Sequence, residues 1–149
     1  MPFWKAGDRL TASRLAFTDI TEWQDYVPIW TGSTTNPAIG SGILTGRYVQ
    51  VGGTCFFRAY MKAAADTTFG SGAWALYPPF NPSNDPPGSV SGWIQDASVT
   101  KRYPVTGLLA GTFIRILADP AGALGISSST PFTWAVNDEL CIGGCIEID

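Results

Sequence analysis

From residue 26 onward the apolar segments are short, and turn signals close them: Thr31-Gly32-Ser33, Val51-Gly52-Gly53, Phe69-Gly70-Ser71-Gly72 and Asp119-Pro120. Glycine and proline are the strongest local breakers of regular structure, and 149 residues contain seventeen of the first and eleven of the second. Runs of this length between breakers suit strands and are too short for stable helices. Strands are expected near 26–31, 43–51, 54–63, 73–78, 89–97, 103–109, 112–118 and 139–148, with 123–127 and 131–135 as shorter additions. That pattern predicts an all-β protein, a jelly-roll-like antiparallel β-sandwich.

Alternation assigns the faces. In the segment after Gly53, Cys55, Phe57, Ala59 and Met61 share one side, while Thr54, Arg58 and Lys62 share the other. In the last segment Leu140, Ile142, Ile146 and Ile148 oppose Cys141, Gly143, Cys145 and Glu147. The second set is mostly small and uncharged, which predicts a strand covered on both sides, with Cys141, Cys145 and Glu147 at an oligomer interface. The stretch from Tyr77 to Gly88 holds five prolines and is expected to be a rigid loop outside any ladder.

Residues 1–25 differ in texture. They carry seven of the twenty-one charged side chains and lack glycine beyond Gly7. Thr11 is a plausible helix N-cap, and Ala12, Ala16, Ile20 and Trp23 recur at helical spacing. The chain therefore divides into an N-terminal docking arm, 1–25, with a short helix or an irregular path, and a β-sandwich domain, 26–149. The arm's bulky residues Phe3, Trp4, Leu10, Leu15, Phe17 and Trp23 are candidate anchors for a partner, because buried aromatic and aliphatic groups dominate interface energies.

Charged residues make up 14% of the chain, against about 25% in ordinary globular proteins. The deficit favours burial of extra surface in an assembly. Net charge is −3 and no basic run exists, so a nucleic-acid partner is not expected. No apolar stretch approaches the ~20 residues of a membrane span, and Met1-Pro2-Phe3-Trp4-Lys5 does not open a secretory signal. Three cysteines, few and odd in number, predict free thiols and assembly in a cytoplasm.

Catalytic constellations are hard to assemble. The chain has no histidine, which removes Ser-His-Asp and Cys-His arrangements and HExxH zinc sites. Cys141 and Cys145 on one strand would stand ~13 Å apart, too far to share a metal unless the intervening Gly143-Gly144 bulges. Asp96 and Glu147 are the acids most firmly inside strands and the best glycosidase pair on offer, yet nothing brings them together. Asp66, Asp85, Asp119 and Asp138 fall in turns, where acids solvate or cap. Calcium loops are absent, and Gly40-Ser41-Gly42 precedes no helix, so it is a turn rather than a phosphate cradle. No metal, cofactor or catalytic residue is expected. Trp74, Trp93 and Trp134, with Tyr48, Tyr60 and Tyr77, suit a sandwich core, and a sugar-stacking platform is the alternative.

The run Tyr26-Val27-Pro28-Ile29-Trp30-Thr31, then Asn36-Pro37-Ala38-Ile39-Gly40-Ser41-Gly42, then Leu44-Thr45-Gly46-Arg47-Tyr48 resembles phage minor tail and tail-fibre proteins, especially those of phages infecting actinobacteria. Residues 67–74 and 131–140 are similar to that family's continuation, and Gly7-Asp8-Arg9-Leu10-Thr11-Ala12-Ser13-Arg14-Leu15 is similar to the opening of many fibre proteins. The order of the pieces is the specific part. The resemblance implies a non-enzymatic virion structural protein, commonly homotrimeric, with an exposed β domain and an N-terminal attachment segment. Its partner would be another virion protein, of the tail or the major capsid, and a host surface glycan is a further partner to consider. No collagen-like repeat or coiled-coil shaft joins arm and domain, so a capsid decoration protein is the rival to a minor tail or fibre component. A carbohydrate-binding or glycan-degrading adsorption protein is the alternative of another class.

Overall fold

A computed structural model of the chain describes residues 22–83, 87–118 and 125–148. The expected arm helix lies outside the described residues, as do Phe3, Trp4, Leu10, Leu15, Phe17, Asp85 and Asp119. The described part contains no helix and nine strands: β1 (Gln24–Tyr26), β2 (Ile29–Gly32), β3 (Ile43–Val51), β4 (Thr54–Lys62), β5 (Trp74–Tyr77), β6 (Ser89–Asp96), β7 (Lys101–Ala110), β8 (Phe113–Leu117) and β9 (Glu139–Glu147). The all-β expectation holds, and the sheet begins at Gln24, inside the segment assigned to the arm.

All nine strands form one antiparallel sheet in the order β1-β3-β4-β9-β6-β7-β8-β5-β2. Its two edge strands are consecutive in the chain, separated only by Val27-Pro28. Three Cα steps span at most ~11 Å, so the sheet must curl until its edges nearly meet. Pro28 is buried and has no amide hydrogen to donate, which explains why the ladder breaks there. The strand bends, pairs with β3 on one side of the break and pairs with β5 on the other.

Two hairpins need two-residue turns, and each has glycine in the left-handed region: Gly52 at φ 58° between β3 and β4, and Gly111 at φ 67° between β7 and β8. Such turns match the strand twist and set the register. Val51 faces Thr54, and the ladder runs without a slip to Ile43 facing Lys62. The alternation read from the sequence survives in β4, where Cys55, Phe57, Ala59 and Met61 are buried. It survives in β9 too, where Leu140, Ile142 and Ile146 are buried, as is Ile148 just beyond it.

Inside the curled sheet the core joins aliphatic side chains from β4, β6, β8 and β9 to an aromatic cluster. Trp74 packs edge-on to Trp30 at 4.7 Å between centroids and tilted against Trp134 at 4.8 Å, and its indole N–H donates to the Phe69 carbonyl at 3.0 Å. Phe132 links Trp134 to Tyr103. Rings at these separations gain about 0.5–1.5 kcal/mol beyond their area burial.

Two loop expectations change. Segments 123–127 and 131–135 supply no strand among the described residues, only isolated bridges at Gly125 and Ser127, while Phe132 and Trp134 still enter the core. The proline-rich loop is not wholly outside the ladder: Pro82 bridges Ile148, and the Ser83 amide donates to the Glu147 carbonyl at 2.7 Å. Proline at a bridge is tolerated because its neighbour supplies the hydrogen.

Two carboxylates staple loops. Asp66 accepts from the Ser41 amide and hydroxyl, tying 39–42 to 64–67, and these hydrogen bonds hold its carboxyl below the usual carboxylate range. Asp138 was expected to solvate or cap a turn. It caps, but from inside: it is 1% exposed, and it accepts from the Ala97 amide at 2.8 Å and the Ala135 amide at 2.6 Å.

Candidate functional site

Because side chains alternate, every second residue of β3, β4, β9, β6 and β7 points outward, and the register lines these residues up in rows. One row reads Thr45, Tyr60, Cys141, Trp93, Pro104 across the five strands. The next reads Arg47, Arg58, Gly143, Ser91, Thr106, with Asp25 of β1 added beside Arg47. Over the first strands of these rows lies a groove of about 440 Å³, with Asp25, Thr45, Arg47, Arg58, Tyr60 and Cys141 in its walls.

The charges in this groove are unevenly paired. Arg47 Nε donates to Asp25 Oδ1 at 2.8 Å, and a second guanidinium nitrogen reaches the Trp23 carbonyl at 3.4 Å. Lys62 and Glu139 pair at 3.4 Å at the edge of the face. Arg102 stacks over Trp93 at 4.9 Å and donates to Gln95. The Arg58 guanidinium makes no hydrogen bond or ion pair among the described residues. Partial burial pushes the Tyr60 phenol up, helped by the Glu139 carboxylate beside it. Burial also pushes the Cys141 thiol up, against the pull of the nearby Arg58 cation.

A second depression, about 310 Å³, lies at the seam where the sheet edges approach each other, walled by Tyr26, Val27, Ile29, Tyr77, Pro78 and Pro79. Val27 is 74% exposed and Ile29 62%, and Trp23, the one described anchor candidate of the arm, is 47% exposed. They lie close together in the chain, at and just before the bend of the β1–β2 strand.

Other residues singled out by sequence are dispersed. Gln95 faces Glu139, so Asp96 is level with residue 138, nine residues from Glu147 along β9, which sets Asp96 and Glu147 ~31 Å apart at ~3.4 Å per residue. Asp96 instead accepts from the Ser98 amide and hydroxyl. Cys141, Cys145 and Glu147 all lie on the outer side of β9. The three thiols are free: Cys55 is buried, Cys141 half-buried, and Cys145 exposed on the single chain because its strand position points outward. The aromatic set also divides. Trp74 and Trp134 are core and Tyr48 packs against it, whereas Tyr60 and Trp93 stand on the outer face on either side of Cys141.

Val27, Ile29 and the Arg47–Arg58 pair were not singled out by sequence. The signal for the pair was present: counting equal steps from the Gly52-Gly53 turn sets Arg47 opposite Arg58. Comparison with protein-family models, curated proteins and solved structures gives no match to this chain.

Proposed function

We propose that the chain is a bacteriophage virion structural protein, a minor tail or fibre component whose residues 1–25 and β1–β2 seam dock it on a neighbouring virion subunit. The observation that carries the reading is the exposure of Trp23, Val27 and Ile29 beside the point where residues 1–21 join the sheet. A depression with Tyr77, Pro78 and Pro79 in its wall lies next to them. Large apolar groups held open to water on a sparsely charged surface are a common mark of a protein–protein contact. The resemblance of 26–48 to tail and fibre proteins gives that contact its setting, and the seam falls within the same stretch.

Burying each of these side chains would contribute roughly 1.5–3 kcal/mol. The test is the number of copies of this chain in purified phage particles, measured by quantitative mass spectrometry against the major capsid protein. A few copies per particle are expected. Hundreds would move the protein to the head surface as a decoration protein, and none would overturn the reading.

A further inference from the structure

Arg47 and Arg58 face each other directly across the β3–β4 ladder. Like charges in that position oppose folding, and the Gly52-Gly53 turn leaves the register no freedom to separate them. Asp25 offsets the first guanidinium through its 2.8 Å contact, while Arg58 has no carboxylate partner among the described residues. On its other side stands Gly143, where an added Cβ would lie 2.9 Å from the Arg58 Cα. The close approach of β9 to β4 thus requires glycine, and the floor beside Arg58 stays open.

Two residues along β4, on the same face, is the half-buried ring of Tyr60, with the Thr45 side chain opposite. The groove above them, about 440 Å³, falls in the range of small-ligand sites. Its chemistry is specific. An unpaired guanidinium offers a planar fork that fits a carboxylate. A tyrosine ring offers an apolar face to the C–H side of a pyranose, and the Thr45 hydroxyl and Asp25 carboxylate can hydrogen-bond sugar hydroxyls.

We infer that this groove binds a carboxylate-bearing sugar of the uronic acid class, with the carboxylate on Arg58 and the ring on Tyr60. Asp25 on the rim decides between a sugar and an acidic peptide: it repels a run of carboxylates and accepts from hydroxyls. The inference does not depend on how the protein docks in a particle.

The experiment is a titration of the full ¹⁵N-labelled chain with glucuronate, followed by amide and arginine side-chain shifts. Saturable shifts at Arg58, Tyr60, Cys141 and Gly143 are expected, with glucose and acetate at equal concentration giving much weaker ones. Arg58→Gln should lower the affinity about tenfold or more, since a charge-assisted pair is lost, and Arg58→Lys should fall between. Because Arg58→Gln also removes the like-charge opposition, its urea midpoint should equal or exceed that of the wild type, which separates loss of binding from loss of fold. Equal shifts with glucose, unchanged affinity in Arg58→Gln, or tighter binding of a tetraglutamate peptide would each overturn the inference.

Discussion

Replacing Asp138 removes the acceptor that holds two loops on the end of the sheet. Its carboxylate takes the Ala97 and Ala135 amides at 2.8 and 2.6 Å. A buried amide left without an acceptor costs about 1–3 kcal/mol. The Ala135 residue is exposed and water can reach its amide, so Asp138→Ala should lose about 2–4 kcal/mol in total. Asp138→Asn keeps one acceptor and turns an N–H₂ toward the other amide, so about 1–2 kcal/mol is expected. Urea unfolding followed by tryptophan fluorescence reads this as a shift in midpoint at constant slope. Acidity supplies a second reading. Burial raises the Asp138 carboxyl above its ordinary value, outweighing the two amide hydrogen bonds, with Asp96 adding to the rise. A raised folded-state value means that protonation favours the fold. The stabilisation is complete below the unfolded value near ~3.9 and is lost as pH rises through the folded one. The stability gap between wild type and Asp138→Asn should therefore widen as pH falls from neutral toward about 4. A loss under about 0.5 kcal/mol in Asp138→Ala, well below the cost of one orphaned amide, would refute the reasoning, as would a gap that narrows on acidification.

Gly46→Ala should cost about 1–3 kcal/mol by overpacking, because the added methyl would overlap the Tyr26 ring that lies across it; an unchanged urea midpoint would contradict that contact. Asp66 titrates below the usual carboxylate range because of Ser41, so the stability it contributes is present above the unfolded value near ~3.9 and lost as pH falls through the lowered one. Carboxyl NMR should show that low midpoint, and Ser41→Ala should raise it. Native thiol labelling should modify exposed Cys145 first, half-buried Cys141 more slowly, and Cys55 only on unfolding, its thiol being buried and pushed up to about 11. Protection of Cys145 at high protein concentration would show that the outer face of β9 is covered by self-association.

How far the sequence could be read depended on whether a feature is local. Strand positions were legible because alternation and glycine turns are local: 43–51 is matched residue for residue, and Cys55, Phe57, Ala59 and Met61 all face the core. The ring-like strand order was not, since β9 inserts between β4 and β6 through contacts distant in sequence. The bend at Pro28 was visible as a proline in an apolar run, yet its consequence, one strand serving both edges of the sheet, depends on the curl. For the groove, the Arg47–Arg58 opposition followed from the Gly52-Gly53 turn, whereas Asp25 and Gly143 reach it from β1 and β9 by non-local pairing. Trp93 and Trp134 look alike in sequence and separate only in the fold: the β6 register turns Trp93 outward, while Trp134 enters the core from the loop before β9.

The docking claim is tested most directly by particle occupancy of a chain altered only at the seam. Val27→Asp with Ile29→Asp changes two side chains that are 74% and 62% exposed, so the isolated domain should keep its wild-type urea midpoint. The measurement is the ratio of variant to wild-type chain incorporated when both are supplied to the same assembling phage, quantified by mass spectrometry of purified virions. A fall of about tenfold or more is expected, since each buried apolar side chain lost from the contact is worth roughly 1.5–3 kcal/mol. Incorporation at the wild-type ratio by a normally folded variant would contradict the account.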